Sequence, residues 1–127
     1  MRKANLIPLA ILLALLTFTL WNSTALSRAS TRWQLQLQSA AALAHAENWP
    51  AAASTLQECY TDWSAHQTWL HIVTQHAIVD DAEAMYHRAM AFAATEEPSE
   101  FQAELSDLMS QVQLLAETEQ LRIENIL

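Results

Sequence analysis

Hydrophobic residues cover every helical face near the start of the chain and only one face later on. No charged residue lies between Lys3 and Arg28, and the stretch from Leu6 to Trp21 is almost wholly apolar. As a helix, residues 4–21 would be about 27 Å long at 1.5 Å per residue. The hydrocarbon core of a bilayer is about 30 Å thick. The pattern therefore predicts an N-terminal transmembrane helix that contacts the lipid bilayer from Leu6 to Trp21.

Two other interpretations fit parts of this pattern. A cleaved signal peptide has the same basic start and apolar stretch, and Ser23, Thr24 and Ala25 are small residues of the kind that a signal peptidase requires. A buried helix of a soluble protein fits least, because the segment is apolar on every face. The length, Trp21 at a possible membrane interface and the helix-compatible continuation favour an uncleaved anchor.

Four amphipathic helices are predicted after the anchor, separated by polar clusters that contain Pro50 and Pro98. At 100° per residue each helix has one apolar face. The four faces contain Ala29, Trp33, Leu37, Ala40 and Ala44; Trp49, Ala52, Leu56, Cys59, Tyr60, Trp63 and Leu70; Ile78, Ala82, Met85, Ala89 and Phe92; and Phe101, Leu105, Leu108, Val112 and Leu115. Trp69, Ile72 and Val73 lie off the second face, so that helix is expected to kink or to contact two neighbours.

The predicted fold is all-α, with the transmembrane helix followed by a small antiparallel bundle of about four helices. Residues 1–27 are predicted to form the membrane anchor, and residues 28–127 an extracytoplasmic helical domain. The end of the chain, from Arg122 to Leu127, is apolar for a free terminus. We expect it to pack on the bundle or on a partner.

Charge is divided unevenly along the chain, whose formal net charge is −8. Residues 1–32 carry four basic residues and no acidic one, whereas all 14 acidic residues follow. Such an acidic domain argues against nucleic acid as a partner. Arg2 and Lys3 predict a single-pass protein of the cytoplasmic membrane with its N-terminus inside, although Arg28 and Arg32 oppose that orientation.

The chain contains no glycine and one cysteine. These counts exclude glycine-rich phosphate loops, a disulfide framework within the chain and a multi-cysteine zinc site. Cys59 lies on an apolar face between Glu58 and Asp62, which is typical of an inert buried thiol rather than a nucleophile. No catalytic set and no cofactor site can be identified, so the sequence predicts a protein that is not an enzyme.

Two groups of residues resemble binding sites. The first is a stripe of metal-ligand types spaced at i, i+4, i+7 and i+11: His76, Asp80, Glu83 and His87. It lies opposite the apolar face of its helix, so a solvated polar face explains it without a metal, and no metal is predicted. The second is the pair Trp63 and Trp69, which could enclose a ligand ring but more often fills a small core.

The element order and several local motifs resemble one bacterial family. A basic start and a single span are followed by Glu47-Asn48-Trp49-Pro50-Ala51-Ala52, by Trp63 and Trp69, by Gln75-His76-Ala77-Ile78-Val79-Asp80-Asp81-Ala82-Glu83, by Ala103-Glu104-Leu105, and by Glu117-Thr118-Glu119-Gln120-Leu121 and Asn125-Ile126-Leu127. This pattern is similar to that of the small single-span proteins called domain of unknown function 4363 (DUF4363). The resemblance implies a topology over nearly the whole chain and no activity.

The function predicted from the sequence is that of a non-enzymatic, membrane-anchored helical module. It would act through contacts with a membrane protein at the outer face of the cytoplasmic membrane. The alternative is an extracytoplasmic, sensor-like helical domain that binds a small ligand or a metal.

Overall fold

Five helices make up the part of the chain that the structure describes. In this computed structural model the backbone is described for residues 3–126 and the side chains for residues 5–125. The helices are α1 (Lys3–His45), α2 (Trp49–Ala65), α3 (Gln67–Val73), α4 (His76–Ala94) and α5 (Pro98–Ile126). No strand occurs among residues 3–126, and the predicted all-α fold is confirmed. Arg2, on which the predicted orientation partly depends, and Leu127 lie outside the described residues.

The first helix is continuous over 43 residues, or about 65 Å. Its side chains at residues 5–21, here called the apolar half, are almost all exposed. Residues 22–45, the packed half, bury one face, beginning with Asn22 at 5% and Leu26 at 1% exposure. The predicted boundary between residues 27 and 28 therefore falls inside a continuous helix whose packing begins about one turn earlier.

The packed half of α1 forms an antiparallel four-helix bundle with α2, α4 and α5. The helix α1 packs against α2 and α5, and α4 packs against α5 and less extensively against α2. Two hydrogen bonds show that α1 and α5 run in opposite directions: Ser30 Oγ donates to the Val112 carbonyl (3.2 Å) and Gln102 Nε2 to the Ala41 carbonyl (2.9 Å). The predicted bundle is confirmed, and the long apolar helix supplies one of its members.

The core contains all five residues of the predicted face on α1 and all five of the face on α5. On α4 the prediction was wrong in detail. The buried residues there are Val79, Ala82, Tyr86, Ala89 and Ala93, whereas Ile78, Met85 and Phe92 are only partly buried. The buried face is rotated by about 60° at 100° per residue. The rotation arises because α4 packs between α5 and α2, so its core residues point toward both neighbours.

The predicted second helix is broken at His66 into α2 and α3. No proline or glycine lies at the break. Instead, His66 Nδ1 lies 2.7 Å from the carbonyl oxygen of Asp62. In an unbroken α-helix that oxygen would accept a hydrogen bond from the backbone amide of His66. The break turns Trp69 toward α1, which explains why Trp69 did not lie on the apolar face of a continuous helix.

Two helices end in left-handed backbone conformations without glycine. Glu47 has φ 62° and Glu96 has φ 53°. The amide of Asn48 donates to the Leu43 carbonyl and that of Glu47 to the Ala44 carbonyl, and the pair Glu97 and Glu96 repeats this pattern after α4. These bonds satisfy the last carbonyls of each helix. The conformation costs a residue with a Cβ atom about 1 kcal/mol more than it costs glycine.

Candidate functional site

A cavity of about 610 Å³ lies at one end of the bundle, where the packed half of α1 meets the apolar half. We call this end, formed by Asn22, α3 and the last turns of α5, the base. The residues that line the base cavity are Phe18, Trp21, Asn22, Ala25, Arg28, Ala29, Arg32, His66 and Trp69. Residues 18, 21, 25, 28 and 32 follow a helical stripe on α1, since side chains three and four residues apart lie on the same face. The cavity therefore combines aromatic and cationic side chains along one face.

A partly buried hydrogen bond fixes the wall of the base cavity. The indole Nε1 of Trp69 donates to Asn22 Oδ1 at 3.0 Å, and this bond joins α3 to α1. The ring of His66 packs edge-on against Trp69 and against Trp33, with centroid distances of 6.0 and 5.8 Å. The break at His66 thus supplies two of the lining residues and holds them against the first helix.

The carboxylate of Asp62 contacts two residues that line the base cavity, Arg32 and His66. Arg32 Nε donates to Asp62 Oδ2 at 2.7 Å, and Trp33 Nε1 donates to the same oxygen at 2.8 Å. His66 Nδ1 lies 3.7 Å from Asp62 Oδ1. Partial burial raises the pKa of Asp62, but the hydrogen bonds from Arg32 and Trp33 and the positive charge of Arg32 outweigh it. The pKa of Asp62 is therefore held below its usual range, and the carboxylate stays ionised.

The four residues of the predicted metal-ligand stripe all lie on α4. His76 and His87 are separated by about 16 Å along the helix axis at 1.5 Å per residue, so they cannot bind one ion. The Nδ1 atom of His76 lies 2.8 Å from that of His71, and Asp80 Oδ1 lies 3.8 Å from His71 Nε2. Among the described residues, no group of three or more His, Cys, Asp or Glu side chains is arranged to hold a metal ion.

Glu83, the third residue of that stripe, takes part in a separate cluster between α2 and α4. Its Oε1 accepts a hydrogen bond from Tyr60 at 2.5 Å and lies 2.8 Å from His87 Nε2. Gln67 Nε2 donates to Glu83 Oε2 at 3.3 Å. The hydrogen bond to Glu83, followed by burial, raises the pKa of Tyr60. The cluster joins two helices of the bundle and leaves no oxygen of Glu83 free of a protein partner.

The two tryptophans predicted as a pair are separated by the helix break. Trp63 is fully buried and packs on Tyr86, with a centroid distance of 5.0 Å, whereas Trp69 lines the base cavity. The Sγ atom of Cys59 lies 3.3 Å from the hydroxyl of Tyr86, the residue on which Trp63 packs. Burial raises the pKa of Cys59 to about 11 and also raises that of Tyr86. At neutral pH Cys59 is therefore a thiol, which is a poor nucleophile.

Sequence reasoning missed Asn22, Asp62 and Tyr86 as residues that organise the structure. No sequence pattern marks Asn22 or Tyr86, and Asp62 is considered only as a charge beside Cys59. A signal for the base cavity was present, because aromatic and basic residues follow the spacing of one helical face from Phe18 to Arg32. The contribution of His66 and Trp69 has no such signal, since it depends on the break between α2 and α3.

Comparison with known proteins identifies a family but no function. A family model described as Domain of unknown function (DUF4363) matches residues 20–126. The match covers most of the chain, including the whole bundle, and the chain belongs to this family. No curated protein and no solved structure shows significant similarity to the chain.

Proposed function

We propose that this member of the DUF4363 family is a non-enzymatic helical module, anchored by α1 and displayed at the outer face of the cytoplasmic membrane. The observation that carries the proposal is the continuity of α1, which joins an exposed apolar half directly to a packed half. This is the one helix among the described residues that is long and apolar enough to cross a membrane. In water its large exposed side chains would have no favourable contact, whereas in a bilayer they meet hydrocarbon.

The base of the bundle supports an uncleaved anchor over a cleaved signal peptide. The small residues that a signal peptidase would recognise, Ser23 to Ala25, lie within helical backbone. Cleavage after Ala25 would remove Asn22, which accepts the hydrogen bond from Trp69, and would leave the buried Leu26 at the new terminus. Retention of the segment therefore preserves the wall of the base cavity.

The proposed orientation places the start of the chain in the cytoplasm and the bundle outside. It rests on Arg2 and Lys3, since basic residues beside a first span favour the cytoplasmic side.

We further propose that the module acts through contact with another membrane protein. The end of α5 offers a contact surface beside the anchor: Arg122 donates to the Val73 carbonyl at 2.9 Å and Ile123 is buried, while Leu121 remains 58% exposed. Photo-crosslinking from position 124, which is exposed and lies about one turn farther along α5, tests this contact. A discrete adduct that is lost when Leu121 is replaced by a charged residue would support it, and labelling of lipid alone would contradict it.

A second candidate function is a sensor-like domain that binds a small ligand. The base cavity favours it, because its volume is within the range of about 300–1,000 Å³ that small-molecule sites occupy. A metal-binding version of this candidate is not supported, because His76 and His87 lie too far apart to bind one ion.

The experiment that tests the anchor uses the full chain in its host membrane. We expect the protein to stay in the pellet after alkaline washing, with an intact mass that includes residues 1–25. A chain that begins at Leu26 and is released by the wash would contradict the proposal. A matched variant in which Leu12 and Leu13 are both replaced by Arg should be released, which controls for aggregation in the pellet.

A further inference from the structure

The base cavity lies where α1 would leave the bilayer, if the anchor proposed above is correct. Phe18 and Trp21 belong to the apolar half and line the cavity from below, and their rings stack with a centroid distance of 6.4 Å. Tryptophan is enriched at the boundary between hydrocarbon and headgroups. Arg28 lies seven residues farther along the same helical face, about 10 Å along the axis. The headgroup layer is about 5–7 Å thick on each side, so the Arg28 side chain reaches it.

The cations of the cavity differ in their availability. Arg32 is paired with Asp62, and the two other arginines with described side chains, Arg88 and Arg122, are each paired with a glutamate. Arg28 has no acidic partner among the side chains at residues 5–125. It is exposed, and it borders the base cavity and also a polar depression that contains Ser23 and Ser27. An arginine beside hydroxyl groups suits a phosphate group, which accepts several hydrogen bonds.

The rest of the base presents apolar side chains toward the same level. Ile72 on α3 is 77% exposed. Val73 and Ile123 border a depression whose other wall is formed by Phe18 of the apolar half. An exposed aliphatic side chain at the base, together with an arginine that has no acidic partner among the described side chains, favours a lipid, which offers an anionic headgroup above and acyl chains below.

We infer that the base cavity binds an anionic phospholipid, with Arg28 on the phosphate and the rings of Trp21 and Trp69 on the glycerol and upper acyl region. The inference depends on the proposed membrane anchor. The bound lipid would hold the bundle upright on the membrane, because the cavity is walled both by the anchor and by α3. Anionic rather than neutral lipid is expected, since the charge of Arg28 is not balanced by an acid of the protein.

The test uses the full chain reconstituted in mixed vesicles of phosphatidylcholine and phosphatidylglycerol, with one of the two lipids brominated in its acyl chains. Bromine quenches nearby tryptophan, so the ratio of quenching at equal mole fraction reports which lipid is enriched beside Trp21 and Trp69. We expect phosphatidylglycerol to be enriched about fivefold, the factor that corresponds to about 1 kcal/mol per basic residue at an anionic surface. Arg28→Gln should lose this enrichment and Arg28→Lys should retain it.

Arg88→Gln is the matched control, because it removes the same charge from the far side of the bundle and should leave the enrichment unchanged. Thermal unfolding of each variant checks that the bundle is intact. Equal quenching by both lipids, as expected if a second copy or another protein filled the cavity, would overturn the inference while leaving the anchor standing. Enrichment that persists in Arg28→Gln would overturn the assignment to Arg28. Release of the wild-type chain from vesicles by alkaline washing would instead overturn the anchor itself.

Discussion

Residues 5–21 and residues 22–45 belong to one unbroken helix, yet their side chains meet opposite surroundings. In the apolar half the hydrophobic residues lie on every face and nearly all are exposed, whereas in the packed half most of them lie on one buried face and Leu35 is exposed. The backbone is α-helical in both, although Pro8 in the apolar half has no amide hydrogen to donate. The comparison shows that helix formation by itself does not determine whether an apolar segment is exposed or packs into the core. The distribution of apolar residues around the axis makes that distinction.

The largest expected difference between the halves concerns two tryptophans. Trp33 is fully buried and Trp21 is 63% exposed. Trp33→Ala should destabilise the bundle by about 3–5 kcal/mol, because it leaves a cavity in the core and removes a hydrogen bond to Asp62. Trp21→Ala should change the free energy of unfolding by less than about 0.5 kcal/mol. Chemical denaturation of the full chain in detergent measures both, and similar losses would refute the division of α1.

Replacing one exposed leucine by arginine in each half of α1 compares the two halves by their effect on membrane insertion. Leu12 and Leu35 are 62% and 60% exposed, one in each half. Leu12→Arg should impair membrane insertion by about 3 kcal/mol, the cost of arginine near the centre of a span, without changing the stability of the bundle. Leu35→Arg should affect neither by more than about 0.5 kcal/mol. An insertion assay with glycosylation acceptor sites reports the first effect. Normal insertion of Leu12→Arg would count against lipid as the surroundings of the apolar half.

The response to acid should arise in the bundle and not in the apolar half of α1, since residues 4–27 contain no titratable side chain. The pKa of Asp62 is lowered in the folded chain. Its contribution to stability is therefore present above the unfolded value of about 3.9 and is lost as the pH falls through the folded value. Asp62→Asn should cost about 1 kcal/mol at neutral pH. The difference from wild type should close in strong acid. Urea unfolding across this pH range measures it, and a constant difference would exclude Asp62 as the source.

The smallest expected effect lies at the end of α1. Glu47→Gly should stabilise the bundle by about 0.5–1 kcal/mol, because glycine adopts the positive φ of this position without a steric cost. Ala53→Gly, at an exposed position inside α2, should destabilise by a similar amount. Thermal melts of the two variants shift in opposite directions if the left-handed turn is correct. Destabilisation by both would contradict it.

Much of the fold could be predicted because its signals are local. Every residue predicted on the faces of α1 and α5 is buried, since each helix packs one clear stripe against the core. The face of α4 was misplaced because its residues at 79, 86 and 93 become buried only between two neighbours. The base cavity could not be predicted as a whole. Its α1 stripe is visible in the spacing, but Trp69 reaches it through the break at His66, which neither proline nor glycine marks.

The sequence by itself determined the all-helical fold, the apolar segment and the order of the helices. These follow from composition and from periodicity within single segments, which near neighbours along the chain control. Only the tertiary structure decided that the apolar half and the packed half of α1 form one continuous helix, that His66 breaks the second helix, and that Asn22 accepts a hydrogen bond from Trp69. Each depends on side chains distant in the sequence competing for the same space and the same hydrogen-bonding groups. A pattern read along one helix does not contain that competition.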